Sequence, residues 1–243
     1  MKFNLKGGVL IIGSLFWQDH RDNTGDNLRK SWRDTYLDMS SASNVDVPIR
    51  YKRFSKDNAY TMVFDNTLEH KNFGVAKAIK FKKNGFANFE EISDSVKLLS
   101  NIEGKYCSNF IKGKKNKTVA WCVCTILFNP QTISPGQKTY MLKEWGNELK
   151  VNEVGYNKFI LAPELYSLKK TGELDIPWPK GIEHIDFLIA TSTMPLPREG
   201  VKEVTSEEIA HHLRNREYFY PNVRHGIKTF QDDEIIKLDS GYS

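Results

Sequence analysis

A short apolar run near the N-terminus constrains the fold most strongly. It covers residues 9–17 and follows Lys2 and Lys6, so it superficially resembles the hydrophobic segment of a signal peptide. The polar residues 18–22 follow directly, without a small-residue cleavage site. The run is also far shorter than the about 20 residues that a membrane-spanning helix needs. We therefore expect a buried first strand in a soluble, cytoplasmic protein that has no membrane segment.

The composition is that of a folded protein with an ordinary core. Hydrophobic residues make up 40% of the 243 residues, aromatic residues 12% and charged residues 27%, which fits one large domain or one domain with an extension. The net charge of +5 comes from basic residues spread along the chain. Such a mild excess permits an anionic ligand without requiring nucleic acid.

The cysteines indicate core packing rather than disulfides or a metal site. Cys107, Cys122 and Cys124 are an odd number for a disulfide framework. Cys122 and Cys124 lie in a run, residues 118–128, that predicts a buried strand, where residues two apart share one face. No histidine stands at zinc-finger spacing from them. We therefore predict small buried thiols and no metal.

Hydrophobic periodicity predicts the remaining elements of the N-terminal half. Residues 18–37 are expected to hold a short helix or an ordered loop. Alternating polar and apolar residues predict strands at 45–54 and 59–64, joined as a hairpin, and a further strand at 73–81. Residues 89–103 show helical periodicity instead. The predicted order is strand, loop, two strands, strand, helix, strand.

The character of the chain changes after Pro130. Helices are predicted at 140–154 and 157–171, a turn at 134–136, a proline-rich link at 176–181 and a strand at 186–191. Thr205 and Glu208 have the spacing of a capping box, which predicts a helix that ends near Arg216. We accordingly divide the chain into a domain of residues 1–130 and a C-terminal extension, 131–243, of unknown role.

A glycine turn after the first strand is the first candidate for chemistry. Gly8, Gly13 and Ser14 have P-loop spacing, but the lysine is missing and residues 9–12 favour a strand, so nucleotide binding through this motif is rejected. A glycine at a strand end still lets the backbone approach a ligand and present N–H groups to it. The alternative is a plain tight turn.

Glu103 is the second candidate. Ile92, Val96, Leu99 and Glu103 form one stripe of the predicted helix, because eleven residues return to within about 20° of the starting direction. Burial and the negative end of the helix dipole would both favour a protonated carboxyl, which suits general acid–base catalysis. The alternative is a glutamate at the stripe's edge that reaches water or pairs with Lys105.

Together these motifs resemble the gamma-glutamyl cyclotransferase-like family over residues 7–130. A hydrophobic strand that runs into Gly13-Ser14-Leu15 is similar to the family's Tyr-Gly-Ser-Leu signature. Phe73-Gly74-Val75-Ala76 is similar to its Trp-Gly-Val-Val-Tyr segment, and Leu98 to Gly104 resembles its Leu-Asp-x-x-Glu-Gly motif. Two positions depart from the pattern, because Ile12 replaces the usual tyrosine and Asn101 stands near a common aspartate.

The resemblance implies an α+β fold, a small mixed β-barrel or curved sheet with packed helices, followed here by an α-rich C-terminal extension. It also implies that the backbone at Gly13, Ser14 and Leu15 contacts the substrate and that Glu103 transfers the proton. In this family the substrate's α-amine attacks its own γ-carbonyl, which releases 5-oxoproline and an amine. The reaction needs no metal or organic cofactor.

Other features are weaker indications of function. Arg50, beside Lys52 and Arg53, is a candidate substrate-binding residue for a carboxylate or phosphate, although a solvated face is the alternative. The basic residues 112–117 are expected to be solvated, and His211 and His212 do not share a helix face for joint metal binding. The aromatic residues 218–221 are expected to pack in the core rather than to form a binding edge.

Two functions of different classes remain open at this point. The first is an enzyme acting on a gamma-glutamyl amide, which retention of Glu103 favours. The second is a non-catalytic relative that binds a small molecule or a partner, which the loss of tyrosine at Ile12 favours. A third, weaker hypothesis is a nucleic-acid-binding protein that uses its basic strands and loop.

Overall fold

The computed structural model describes residues 2–20, 26–55, 58–103, 122–150, 167–213 and 216–240. Within these residues the protein is a mixed α+β structure with a five-stranded sheet, a two-stranded sheet and six α-helices. The strands are β1 (Gly7–Ile11), β2 (Ser43–Val47), β3 (Ile49–Phe54), β4 (Tyr60–Phe64), β5 (Gly74–Lys80), β6 (Cys122–Phe128) and β7 (Phe187–Thr193). The helices are α1 (Leu28–Tyr36), α2 (Phe89–Glu103), α3 (Pro135–Lys150), α4 (Ser206–His211), α5 (Arg216–Arg224) and α6 (Asp232–Ser240).

The larger sheet is open and mixed. Its strand order is β2-β5-β1-β7-β6, and β1 pairs with β5 antiparallel and with β7 parallel. Among the described residues, β2 and β6 form its two edges, so the mixed α+β class is confirmed and, of the predicted barrel or curved sheet, the closed barrel is wrong. Closure is unnecessary because a separate hydrophobic layer buries each face of the sheet.

The sheet also crosses the predicted domain boundary at residue 130. The strand β7, from the C-terminal half, lies at the centre of the sheet between β1 and β6. Residues 131–243 therefore complete the sheet as well as packing on it. Sequence periodicity identified this strand but could not indicate its neighbours, because pairing between distant segments leaves no local pattern.

The two layers follow from the alternation of side chains along the strands. On β1, Val9 and Ile11 enter a core with residues of α1, α2 and α3, whereas Leu10 enters a core with the β3–β4 hairpin and α4 to α6. Cys122 and Cys124 share the first core as free, buried thiols, as predicted for two residues on one strand face. Cys107 lies outside the described residues.

The helix α2 has the predicted bounds and orientation. Ile92, Val96 and Leu99 are fully buried, and Glu103 at the C-terminal end of the same stripe is 6% exposed. The predicted strand 45–54, in contrast, is two strands that belong to different sheets. They separate at Pro48, which has no N–H to donate to a ladder.

The helix boundaries of the C-terminal half differ from the prediction. The predicted turn at 134–136 is instead the start of α3, because Ser134 and Gln137 cap each other reciprocally. Thr205 caps α4 as predicted, but that helix ends at His211, and α5 begins at Arg216. Residues 157–166 of the predicted helix 157–171 lie outside the described residues. Residues 167–171 form turns and an isolated β-bridge instead of a helix. No described helix is long and apolar enough to cross a membrane.

Candidate functional site

The glycine turn after β1 packs directly against the C-terminal half of the chain. A Cβ atom on Gly13 would lie 2.6 Å from the hydroxyl oxygen of Tyr218 on α5, so any other residue at position 13 would displace this tyrosine. The turn is closed by the N–H groups of Phe16 and Trp17, which donate to Gly13 and Ser14 at 3.1 Å each. The N–H groups of Ser14 and Leu15 have no hydrogen-bond partner among the described residues.

Arg29 connects this turn to the end of α2. One guanidinium nitrogen donates to the Ser14 hydroxyl at 3.1 Å and to the Gln18 side chain at 2.6 Å. The other terminal nitrogen donates to Glu103 Oε2 at 3.0 Å. The two charged side chains are 8% and 5% exposed, so they form a buried ion pair. The predicted turn and the predicted glutamate therefore lie on two sides of a single guanidinium.

Arg33, one helical turn after Arg29, holds the turn in place. It donates to the backbone oxygens of Leu15 at 2.7 Å and of Gln18 at 2.9 Å, and it forms an ion pair with Asp19. Burial lowers the pKa of the Arg33 guanidinium, and the charge of Asp19 opposes that shift. Arg33 thus fixes the turn, and Arg29 connects it to Glu103.

Glu103 is buried, as its place on the stripe predicts, but it has a charged partner that the sequence analysis did not indicate. It is not a solvated glutamate at the edge of the stripe, and its partner is Arg29, while Lys105 and Gly104 lie outside the described residues. The guanidinium supplies a compensating charge for a carboxylate that burial would otherwise disfavour. The site therefore contains a charge that the sequence analysis did not include.

Tyr218 completes the site from α5. Burial raises the pKa of the Tyr218 hydroxyl, whereas hydrogen bonds with the Asn222 side chain and the Met62 backbone lower it. The charge of Arg29 opposes the rise and that of Glu103 adds to it, so the phenol lies within electrostatic reach of the ion pair. The neighbouring Phe219 is buried in the core, as predicted for residues 218–221, but Tyr218 faces the glycine turn.

Arg50, the other predicted substrate-binding residue, has different neighbours. Its guanidinium donates to the Val204 backbone oxygen at 3.3 Å and lies 5.7 Å from the centre of the Phe230 ring. Among the described residues, its side-chain contacts include neither Glu103 nor the glycine turn. Adjacent residues of a strand point to opposite faces, and on β3 it is Tyr51, next to Arg50, whose side chain lies near Tyr218.

The remaining predicted features contribute no site in the described residues. His211 and His212 are in ring contact at 5.1 Å, and His212 also contacts Glu208. Within the described ranges, no group of three or more His, Cys, Asp or Glu side chains is arranged to hold a metal ion. The basic residues 112–117 lie outside these ranges.

Two site residues, Arg29 and Tyr218, were missed from the sequence. Arg29 and Arg33 flank Trp32 on the buried face of α1. Two arginines on the same helix face as a buried tryptophan predict buried hydrogen-bond acceptors for their guanidinium groups. This spacing can be recognised in the sequence. The contact of Tyr218 with Gly13 has no local signal, because it joins residues from opposite ends of the chain.

The geometry stands without support from known relatives. Comparisons of the chain with protein-family models, with curated proteins and with solved structures found no match.

Proposed function

We propose that the protein is a gamma-glutamyl cyclotransferase-like enzyme whose site lies between the glycine turn, Arg29 and Glu103. One observation carries the proposal: a single buried guanidinium contacts both Ser14, at 3.1 Å, and Glu103, at 3.0 Å. The two motifs on which the resemblance depends are far apart in sequence. Their convergence in the interior supports a common role in chemistry.

The groups present suit intramolecular aminolysis. Glu103 takes a proton from the substrate's α-ammonium, and the freed amine attacks the γ-carbonyl carbon to form the new C–N bond of the ring. The unpartnered N–H groups of Ser14 and Leu15 are donors for the oxyanion that forms. The tetrahedral intermediate then collapses, Glu103 returns the proton to the leaving nitrogen, and the original amide C–N bond breaks. The ring nitrogen, which is cationic after the attack, gives its extra proton to the Glu103 carboxylate, from which it passes to the released amine, so that the amine leaves as an ammonium and Glu103 is again ionised. The products are 5-oxoproline and an amine.

One observation favours a second candidate, a non-catalytic protein that binds a small polar molecule at this site. One oxygen of the Glu103 carboxylate is already occupied by a buried ion pair with Arg29 at 3.0 Å. In the enzyme, the substrate must therefore weaken this ion pair when it binds. In the binding protein, the ion pair stays intact and only positions the turn.

The test is a panel of gamma-glutamyl amino acids, peptides and amines, with detection of released 5-oxoproline. We expect turnover by the wild type and a loss of about 10²–10⁴-fold in Glu103→Gln, because glutamine cannot shuttle a proton. Glu90→Gln, an exposed position on the same helix, is the matched control and should retain full activity.

Equal turnover by the wild type and Glu103→Gln would remove Glu103 from the reaction. Binding of panel compounds without any release of 5-oxoproline would favour the second candidate. The absence of both binding and turnover across the panel would contradict both proposals.

A further inference from the structure

Lys77 on β5 is a half-buried cation beside the glycine turn, and it has no role in the proposed proton transfer. The strand register pairs it with Ile11, which lies just before the turn. Its ammonium lies 5.3 Å from the centre of the Phe16 ring, and the N–H of Phe16 donates to the backbone oxygen of Gly13 at 3.1 Å. Lys77 therefore lies where β1 enters the turn.

No carboxylate of the described residues compensates the charge of Lys77. Its ammonium donates to the side-chain oxygen of Asn44 at 2.6 Å, which is a neutral acceptor, and it forms no ion pair within the described ranges. Burial lowers the pKa of the Lys77 ammonium, and no described carboxylate opposes this shift. Because partly buried charges in proteins are normally paired, Lys77 is a cation in need of an anionic partner.

Gly226, which follows α5, leaves a space beside this ammonium. A Cβ atom at this position would lie 3.6 Å from Lys77 Nζ and 3.9 Å from both Oδ1 and Nδ2 of Asn44. These are the nearest described atoms apart from those of its chain neighbours. Asn44 Nδ2 has no hydrogen-bond partner among the described residues. Two nitrogen donors thus lie within 4 Å of one unfilled point.

Aromatic rings of the turn adjoin the same space. The exposed ring of His225, the residue before Gly226, lies 5.6 Å from that of Phe16 and 6.5 Å from the nearly parallel ring of Trp17. Phe16 therefore contacts both the Lys77 ammonium and the His225 ring. The imidazole nitrogens have no hydrogen-bond partner among the described residues, and either neutral tautomer can donate one N–H.

The alternative for Lys77 is an ordinary surface lysine, which buries its stem and keeps its ammonium in water. The Lys77 ammonium is instead partly desolvated, near an aromatic ring and close to the Gly226 backbone. The groups around this space offer an ammonium and neutral N–H donors. An oxyanion, which only accepts hydrogen bonds, matches such a set of donors.

We propose that Lys77, Asn44 and His225 bind an oxyanion, namely the carboxylate or phosphate group of a small molecule. Lys77 supplies the positive charge, and the Asn44 amide and the His225 imidazole donate hydrogen bonds. The anion has two possible sources. One is a carboxylate on the leaving amine of a substrate held at the glycine turn, and this source alone rests on the proposed function. The other is a free anion that binds by itself.

The test has one arm for each source, and both arms measure binding to the full chain by calorimetry. The first compares gamma-glutamylglycine with gamma-glutamyl methylamide, which differ only in the carboxylate of the leaving amine, in the Glu103→Gln background so that no turnover interferes. The second titrates inorganic phosphate into the wild type. An anion on the substrate predicts that gamma-glutamylglycine binds at least about tenfold more tightly, as for a charge-assisted hydrogen bond. A free anion predicts phosphate binding without that preference. The absence of both would overturn the proposal.

Lys77→Met, with Lys71→Met as its matched control, identifies the residue. Methionine keeps an apolar stem and removes a charge that burial disfavours, so urea denaturation should show a fold at least as stable as that of the wild type. Lys71 is an exposed lysine that precedes β5 and pairs with Glu69. We expect Lys77→Met to lose the preference for gamma-glutamylglycine or the phosphate binding, whichever the parent shows, and Lys71→Met to keep it. Retention of that binding in Lys77→Met would overturn the proposal.

Failure of this proposal can be told apart from failure of the proposed function. Anion binding that depends on Lys77, with no release of 5-oxoproline by the wild type, supports the anion site and contradicts the enzyme. Release of 5-oxoproline, with equal binding of the two gamma-glutamyl compounds and no binding of phosphate, supports the enzyme and contradicts the anion site.

Discussion

The two polar regions around Tyr218 differ in how their charges are compensated. In the first, Arg29 has hydrogen bonds to Ser14 and Gln18 and an ion pair with Glu103, although its Nε has no partner among the described residues. In the second, Asp232 at the start of α6 is 1% exposed, its Oδ1 accepts two hydrogen bonds from Thr229, and its Oδ2 has no partner among the described residues. The first region connects parts of the fold to one another. The second holds a buried carboxylate of which one oxygen has no hydrogen-bond partner among the described residues.

This difference predicts how mutations in each region change the stability of the fold. Removal of one partner of a buried ion pair leaves an uncompensated charge and is strongly destabilising. Removal of an unpartnered polar atom also removes the free-energy cost of burying it. Mutations in the two regions should therefore change the free energy of unfolding in opposite directions.

The largest effect is expected for Arg29→Met, which leaves the Glu103 carboxylate buried without its partner. We expect a loss of about 3–5 kcal/mol in the free energy of unfolding, measured by urea denaturation. Lys30→Met is the matched control, because Lys30 pairs with Asp34 on the exposed side of the same helix and should matter little. The double variant Arg29→Met with Glu103→Leu should recover much of the loss. A single variant as stable as the wild type would show that the ion pair does not hold the turn to α2.

The next effect is the pH dependence that Asp232 contributes. Burial raises the pKa of Asp232 from 3.8 to about 6, so the folded state retains this proton at pH values where the unfolded state has lost it. The contribution of Asp232 to the free energy of unfolding therefore falls as the pH rises from about 4 to about 6 and is constant above that range. A shift of this size corresponds to about 2–3 kcal/mol.

Asp232→Asn isolates this contribution. Without an ionisable group at this position, the variant should be more stable than the wild type above pH about 6 and should lose the fall between pH about 4 and about 6. Denaturant titrations across this pH range measure the difference, and Asp233→Asn serves as the control. Parallel pH profiles for Asp232→Asn and the wild type would contradict the burial of an uncompensated carboxylate.

The smallest of these effects is expected at the contact between the two halves of the chain. Gly13→Ala places a Cβ atom 2.6 Å from the Tyr218 hydroxyl, and such overpacking typically costs about 1–3 kcal/mol. Tyr218→Phe removes that hydroxyl, so the double variant should lose less stability than the sum of the single variants. Gly136→Ala is the control, because a Cβ there meets no atom within 4 Å. If the stability losses of the two single variants simply add in the double variant, Gly13 and Tyr218 do not interact and the prediction is wrong.

What the sequence could predict depended on how local the signal was. The helix α2 and the inward direction of Glu103 follow from the spacing of apolar residues along one segment, and the structure has both. The glycine turn was likewise visible as an apolar strand that ends in Gly13. The break between β2 and β3 at Pro48 could have been predicted, because proline has no N–H for a strand ladder. The alternation of polar and apolar residues continues across this position and indicated a single strand instead.

The contacts that define the site could not be predicted from local sequence patterns. The central place of β7 depends on pairing between strands from distant parts of the chain. The partner of Glu103 lies on α1, and Tyr218 reaches the glycine turn from α5. Such contacts depend on how layers stack, which periodicity within one element does not determine.

The most direct test of the central claim is a crystal structure of Glu103→Gln with a gamma-glutamyl amide bound. The account predicts that the γ-carbonyl oxygen lies within about 3 Å of the N–H groups of Ser14 and Leu15. It also predicts that the α-nitrogen lies within hydrogen-bond distance of the side-chain amide that replaces the Glu103 carboxylate in this variant. A ligand bound elsewhere, or one whose amide faces away from the turn, would contradict the claim that Gly13–Leu15 and Glu103 form one catalytic site.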